Sequence, residues 1–174
     1  MKKGGQIWVE TVVYTLIAFL MMGLVLSYAK PKIEQIQDKA IIDQSIEIIK
    51  EIDSIITSIK DVSGNSRELG LVFKKGSIQF DGVNDKILFN MESRYAYTEP
   101  GKEVKDGTIT IFTREKGKYN DVNLTRVYSP SFNLTVNGAD VSKTITQSAS
   151  AYGVTISNKG IDSQGKTIID ITIS

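Results

Sequence analysis

The sequence predicts an α+β protein in which one long N-terminal α-helix packs on a mainly antiparallel β-sheet head. Three observations carry that expectation. An apolar run from Ile7 to Ala29 holds a single charge, Glu10. An isoleucine stripe at sevenfold spacing follows it, and beyond Leu69 come short alternating runs divided by Gly, Asn and Asp clusters.

The apolar run offers roughly 23 residues, enough to cross a bilayer core of about 30 Å. Trp8 and Tyr14 stand near one end and Tyr28 near the other, as interfacial anchors do. Lys2 and Lys3 point to a cytoplasmic N-terminus, although Lys30 and Lys32 flank the other end and weaken the charge bias. The run is too long for the h-region of a cleaved secretory signal and lacks a small-x-small site at its end. A plain membrane anchor is the simplest reading. Basic residues, then Gly4 and Gly5, then polar Gln6 all precede the run, so a cut between Gly5 and Gln6 leaves the membrane helix on the mature chain. Glu10 then becomes its fifth residue.

On these residues the N-terminus, KKGGQIWVE, resembles the archaeal type IV pilin-like proteins with class III signal peptides. The resemblance covers about the first 60 residues (the motif parts and the helix pattern together) and does not extend into the head. It implies a leader at 1–5 removed by a prepilin-type signal peptidase, and a transmembrane, later filament-core, helix at 6–30. It also implies an assembly ATPase, a platform protein and a homo-oligomeric helical filament. The family's use of the glutamate becomes an assembly and register role for Glu10. Deep in a helical bundle an unpaired carboxylate costs on the order of 2.5–3.5 kcal/mol, and the freed α-amine is its natural partner. Snorkelling at the membrane edge is the plainer role for the same residue. Cyclisation of an N-terminal Gln6 would remove the amine and leave Glu10 seeking another donor.

After Pro31 the pattern turns amphipathic. Ile41, Ile48, Ile55 and Val62 form one row, Ile42, Ile49 and Ile56 a second, with Ile52 and Ile59 between them. Together they make a stripe roughly 100° wide, suited to packing on a sheet. This predicts an amphipathic helix over 31–63, stopped by Gly64 and Asn65. Pro31 is a site for a kink or a boundary, since it removes one internal hydrogen bond. A helix running from Ile7 to Val62 would be roughly 80 Å long.

The head, 64–174, reads as β. Leu71–Phe73 and Ile78–Phe80 suggest a hairpin turned at Lys75-Gly76, and Ile87, Phe89 and Met91 alternate as in a half-buried strand. GTITIFT, DVNLTRV, SFNLTVN, AYGVTIS and KTIIDITIS supply further runs. DGVND lacks the spaced ligands and terminal glutamate of a calcium loop and reads as a turn. Asn123-Leu-Thr125 and Asn133-Leu-Thr135 match the N-glycosylation sequon, each with its Asn and Thr on the face opposite the apolar residues.

Composition narrows function. The 174 residues are 41% hydrophobic, room for one modest domain beyond the apolar run. Net charge is +1, with Lys2 and Lys3 supplying two positive charges, so the remainder is nearly neutral and speaks against a nucleic-acid partner. There is no cysteine and no histidine, which removes thiolates and the commonest general base and metal ligand. No catalytic, cofactor or metal residues are expected, and a structural or binding role is favoured over an enzyme. The expectation is a pilin of an archaeal surface filament: a membrane-anchored precursor, then an extracellular subunit with a possible adhesive surface. The alternative is a single-pass anchored extracellular binding module that does not polymerise.

Overall fold

The structure, a computed structural model, describes residues 4–174, with side chains from Trp8 onward. Packing divides the chain into two compact units, Met1–Gln37 and Asp38–Ser174. One α-helix, α1 (Gly4–Ile59), contributes to both and contains Pro31. Proline's fixed φ near −65° is compatible with a helix, so the local cost falls on the Ser27 carbonyl, which loses its N–H donor. The helix therefore neither ends nor changes type at Pro31. In the first unit every residue from Trp8 to Tyr28 is exposed.

The second unit holds helix residues 38–59 and ten strands. These are β1 (Ser66–Leu71), β2 (Ser77–Asp81), β3 (Lys86–Ser93), β4 (Glu103–Asp106), β5 (Ile109–Lys116), β6 (Tyr119–Val127), β7 (Phe132–Val136), β8 (Ser142–Thr146), β9 (Tyr152–Ile161) and β10 (Thr167–Ile173). They form two sheets, one of order β1-β9-β10-β7 and one of order β4-β5-β6-β3-β2-β8. All neighbours are antiparallel except β10 and β7. The head thus consists of two sheets, where the sequence suggested one.

The core follows the period-2 rule closely. Ile78 and Phe80 on β2, Ile87, Phe89 and Met91 on β3, Ile109 and Ile111 on β5, and Val122 and Leu124 on β6 are all buried. Leu134, Val136, Val154, Ile156, Ile169 and Ile171 do the same for the other sheet. From the helix come Ile42, Ile46, Ile49, Ile52, Ile56 and Ile59, spaced three and four residues apart on one face. Ile41, Ile48 and Ile55 border that face, half-buried. Val62, expected in the stripe, is 55% exposed, because the helix ends at Ile59 rather than 63.

That end is made by a distant residue. Asn158 on β9, 2% exposed, donates from Nδ2 to the carbonyls of Ile59 and Lys60, both at 2.9 Å. The Asn158 carbonyl accepts the Gly64 N–H at 2.8 Å, with Gly64 at φ 87°, a value that suits glycine. A side chain some 99 positions away in sequence thus adds donors at the helix end, where the Ile59 carbonyl otherwise has only the Val62 N–H at 3.4 Å.

Three carboxylates on the helix fix its position on the head. Asp38 is 4% exposed and accepts from Lys75 Nζ at 2.7 Å and from the Arg94 N–H at 2.6 Å. Asp43 accepts the Tyr97 hydroxyl at 2.8 Å. Burial first, and then that hydrogen bond, push the Tyr97 phenol up to about 12. Asp53 accepts from Arg126 Nε at 2.8 Å, and the Arg126 guanidinium lies over the Tyr128 ring, 4.4 Å from its centroid.

The expected hairpin at Lys75-Gly76 does not exist. β1 pairs with β9 in one sheet, whereas β2 pairs with β3 and β8 in the other. The turn carries the chain between sheets. DGVND is the predicted turn: Asp81 accepts from Asn84 and from the Ser142 hydroxyl, and Asp85 takes φ 48°. Burial raises the Asp81 carboxyl, but hydrogen bonds from Asn84 and Ser142 and the charge of Lys86 hold it below its ordinary value.

Candidate functional site: the exposed apolar helix

The buried polar side chains Asp81, Asn158 and Asp170 of the head hold hydrogen bonds that serve the fold. The feature that does not is the first half of α1. From Trp8 onward the helix is long and apolar enough to cross a membrane, and its most apolar window has no buried residue. Trp8 is 72% exposed, Phe19 66% and Leu24 69%, and the apolar side chains point to all sides of the helix axis. Polar interruptions are few. Thr15 donates its hydroxyl to the Thr11 carbonyl at 2.8 Å, which satisfies it within the helix and lets it enter an apolar environment. Gly23 has open space where a Cβ would stand. Glu10 is exposed and remains the only formal charge between Trp8 and Ala29.

The expected cleavage junction, Gly5–Gln6, lies at the start of the helix, which begins at Gly4. Its side chains, and Met1–Lys3 of the expected leader, lie outside the described residues.

The two sequons occupy different places. Asn123 is on β6, between β5 and β3, and its Oδ1 accepts from Asn90 Nδ2 at 2.7 Å. Asn133 is on β7, at a sheet edge, with Nδ2 donating to Asp162 at 3.4 Å, and Thr135 donates to Asp170 at 2.7 Å. Both asparagines are half-buried and both alternate with buried apolar neighbours, as the sequence pattern implied.

An open cavity of about 380 Å³ is lined by Gly82, Asp85, Asn133, Asp140, Asp162 and Lys166, among others. Two of its carboxylates are already engaged by backbone N–H groups. Asp85 accepts the Leu134 N–H at 2.8 Å, and Asp162 accepts the N–H groups of Gln164 and Lys166 at 2.8 and 2.9 Å. The Lys166 N–H is the leading reason the Asp162 carboxyl is held low. Lys166 Nζ in turn donates to the Ser129 carbonyl at 2.8 Å. Among the described residues no group of three or more acidic side chains is arranged to hold a metal ion.

Asp38, Asp53, Arg126 and Asn158 were not anticipated, because each acts on a partner far away in sequence. The one local signal was a charged residue near an isoleucine stripe, which any solvated helix face also shows. Comparison with protein-family models, curated proteins and solved structures finds no match for the chain.

Proposed function

We propose that this chain is a filament subunit of the archaeal type IV pilin-like kind, made as a membrane-anchored precursor and polymerised through its N-terminal helix. The observation that supports this reading most is the division of labour within α1. Residues 42–59 supply a core face to the head, whereas Trp8–Tyr28 are exposed on every side. Soluble monomers rarely leave more than a few hundred Å² of contiguous apolar surface in water. Lipid covers the segment before assembly, and sister helices cover it afterwards. Transfer from lipid to an equally apolar protein core forfeits little, since neither environment is water.

Two local features suit helix–helix contact. Gly23 costs about 0.8–1 kcal/mol relative to alanine within a helix, and its bare surface lets a neighbour approach closely. Glu10 supplies the register: cleavage between Gly5 and Gln6 creates an α-amine, charged at neutral pH, one helical turn from the carboxylate. The same groups on adjacent subunits prefer the axial offset that brings them together. Removal of the leader, energy for extraction and a membrane platform come from other proteins.

N-terminal sequencing of the protein taken from cells, together with imaging of native surface filaments, tests the reading. A start at Gln6 and a filament map built by this chain support it. An intact Met1 on dispersed single molecules overturns it in favour of a tethered binding module.

A further inference from the structure

Val136 and Ala139 exchange backbone hydrogen bonds at 2.8 and 3.2 Å around a two-residue loop, Asn137–Gly138, with φ 52° and 78°. Both positive values are those of the tight hairpin turn that Asn-Gly favours. The same dipeptide is the most fragile in protein chemistry. Lacking a side chain, glycine lets its own amide nitrogen reach the preceding side chain. Deprotonated, the Gly138 nitrogen attacks Cγ of Asn137, a new N–C bond forms, ammonia leaves and a succinimide remains. Water then opens that ring at either carbonyl, giving aspartate or isoaspartate. Asn137 and Gly138 are exposed, so solvent has access to them.

Here both reacting groups are held. The Gly138 N–H donates to Asp170 Oδ1 at 2.7 Å, and Asn137 Oδ1 accepts the Ile173 N–H at 3.1 Å. Asp170 is 3% exposed and also accepts the hydroxyls of Thr135 at 2.7 Å and Thr172 at 3.1 Å, so its own position is fixed from β7 and β10. A carboxylate against the Gly138 N–H opposes the negative charge that nitrogen must acquire before it attacks. The Ile173 N–H holds the side-chain carbonyl of Asn137 in place. The Asn137 N–H is tied to the Ile171 carbonyl at 3.1 Å, so the turn must leave β10 before it can rearrange.

We propose that Asn137–Gly138 is a latent deamidation site which Asp170 and Ile173 keep closed. The device lies in the head and stands whether or not the chain forms filaments. It protects the hairpin after β7 from a backbone-lengthening isoaspartate that would break the register with β10.

The test is peptide mapping with isoaspartate detection on the full chain, incubated in detergent at mildly alkaline pH. Asn137 in the native chain should react on the order of 10- to 100-fold more slowly than in Asp170→Asn, the factor that loss of hydrogen bonds to a buried charge carries. Ile173→Pro removes the N–H that holds Asn137, together with a half-buried side chain at the end of β10, and should also accelerate the reaction. The wild-type chain in concentrated urea gives the open-state rate, and requires no variant. Equal rates in native and urea-treated chain overturn the proposal. So does a slower reaction in folded Asp170→Asn, which would make Asp170 a base that promotes attack. If Asp170→Asn does not fold, an unchanged rate in Ile173→Pro overturns it instead.

Discussion

Replacing Asp38 by alanine removes the first side chain of the helix that the head buries. Its carboxylate accepts two hydrogen bonds, at 2.7 Å from Lys75 and 2.6 Å from the Arg94 backbone. A hydrogen bond to a charged group is worth about 1.5–3 kcal/mol. The Lys75 side chain is 40% exposed, so its share is discounted to roughly 0.5–1 kcal/mol for solvent screening. The Arg94 N–H keeps the full value because the peptide cannot turn to water without moving the β3 end. The sum is about 2–4 kcal/mol, or roughly 6–12 °C in Tm at about 3 °C per kcal/mol for a chain of this size. Asp38→Asn keeps the volume and one acceptor and should lose about half as much. Thermal unfolding of the full chain in detergent, followed by near-ultraviolet circular dichroism of the head tyrosines, measures both. A loss below about 0.5 kcal/mol for Asp38→Ala, or equal losses for the two variants, would refute the argument that this carboxylate anchors the helix.

Glu10→Gln should leave membrane insertion intact while filament assembly falls; normal filaments from this variant would remove the register role. Among the described residues the buried Tyr128 hydroxyl makes no hydrogen bond of good geometry, although Asp53 and Arg126 lie beside it, and Tyr128→Phe should be neutral or stabilising by up to about 1 kcal/mol; a clear loss in denaturant titration would show that Asp53 or Arg126 does hold it. The Asp81 carboxyl is held below its ordinary 3.8, so the folded state binds its proton more weakly than the unfolded one. Its stabilisation is complete above about pH 5 and is lost as pH falls through the depressed value. Asp81→Asn should flatten the acid limb of the stability curve below pH 5, and an unchanged limb counts against this assignment.

Some elements could be read from neighbouring residues alone. The apolar run, the isoleucine stripe and the alternation in β3, β5, β6 and β7 each repeat with the period of their own backbone, 3.6 or 2, so the pattern is contained within a dozen residues. β4 was missed because Glu103–Asp106 is exposed along its whole length and has no buried face to leave a period. β8 was missed because only Ile145 of its five residues is buried.

Partners were a different matter. Lys75-Gly76 has hairpin chemistry, yet β1 and β2 belong to different sheets, because Leu71 is taken by Tyr152 and Ile78 by Phe89 and Ile145. Pairing is a competition among every strand in the chain, and its outcome is not written in any one turn. The same holds for the helix end. Gly64 announced a stop near it, but Asn158 supplies the donors that close it after Ile59. What the sequence by itself determined was the long helix with its apolar first half and the strands whose buried faces alternate. The tertiary structure alone decided which carboxylates anchor that helix, which strands meet and why the Asn137–Gly138 turn is held, because each depends on groups brought together from positions far apart in the chain.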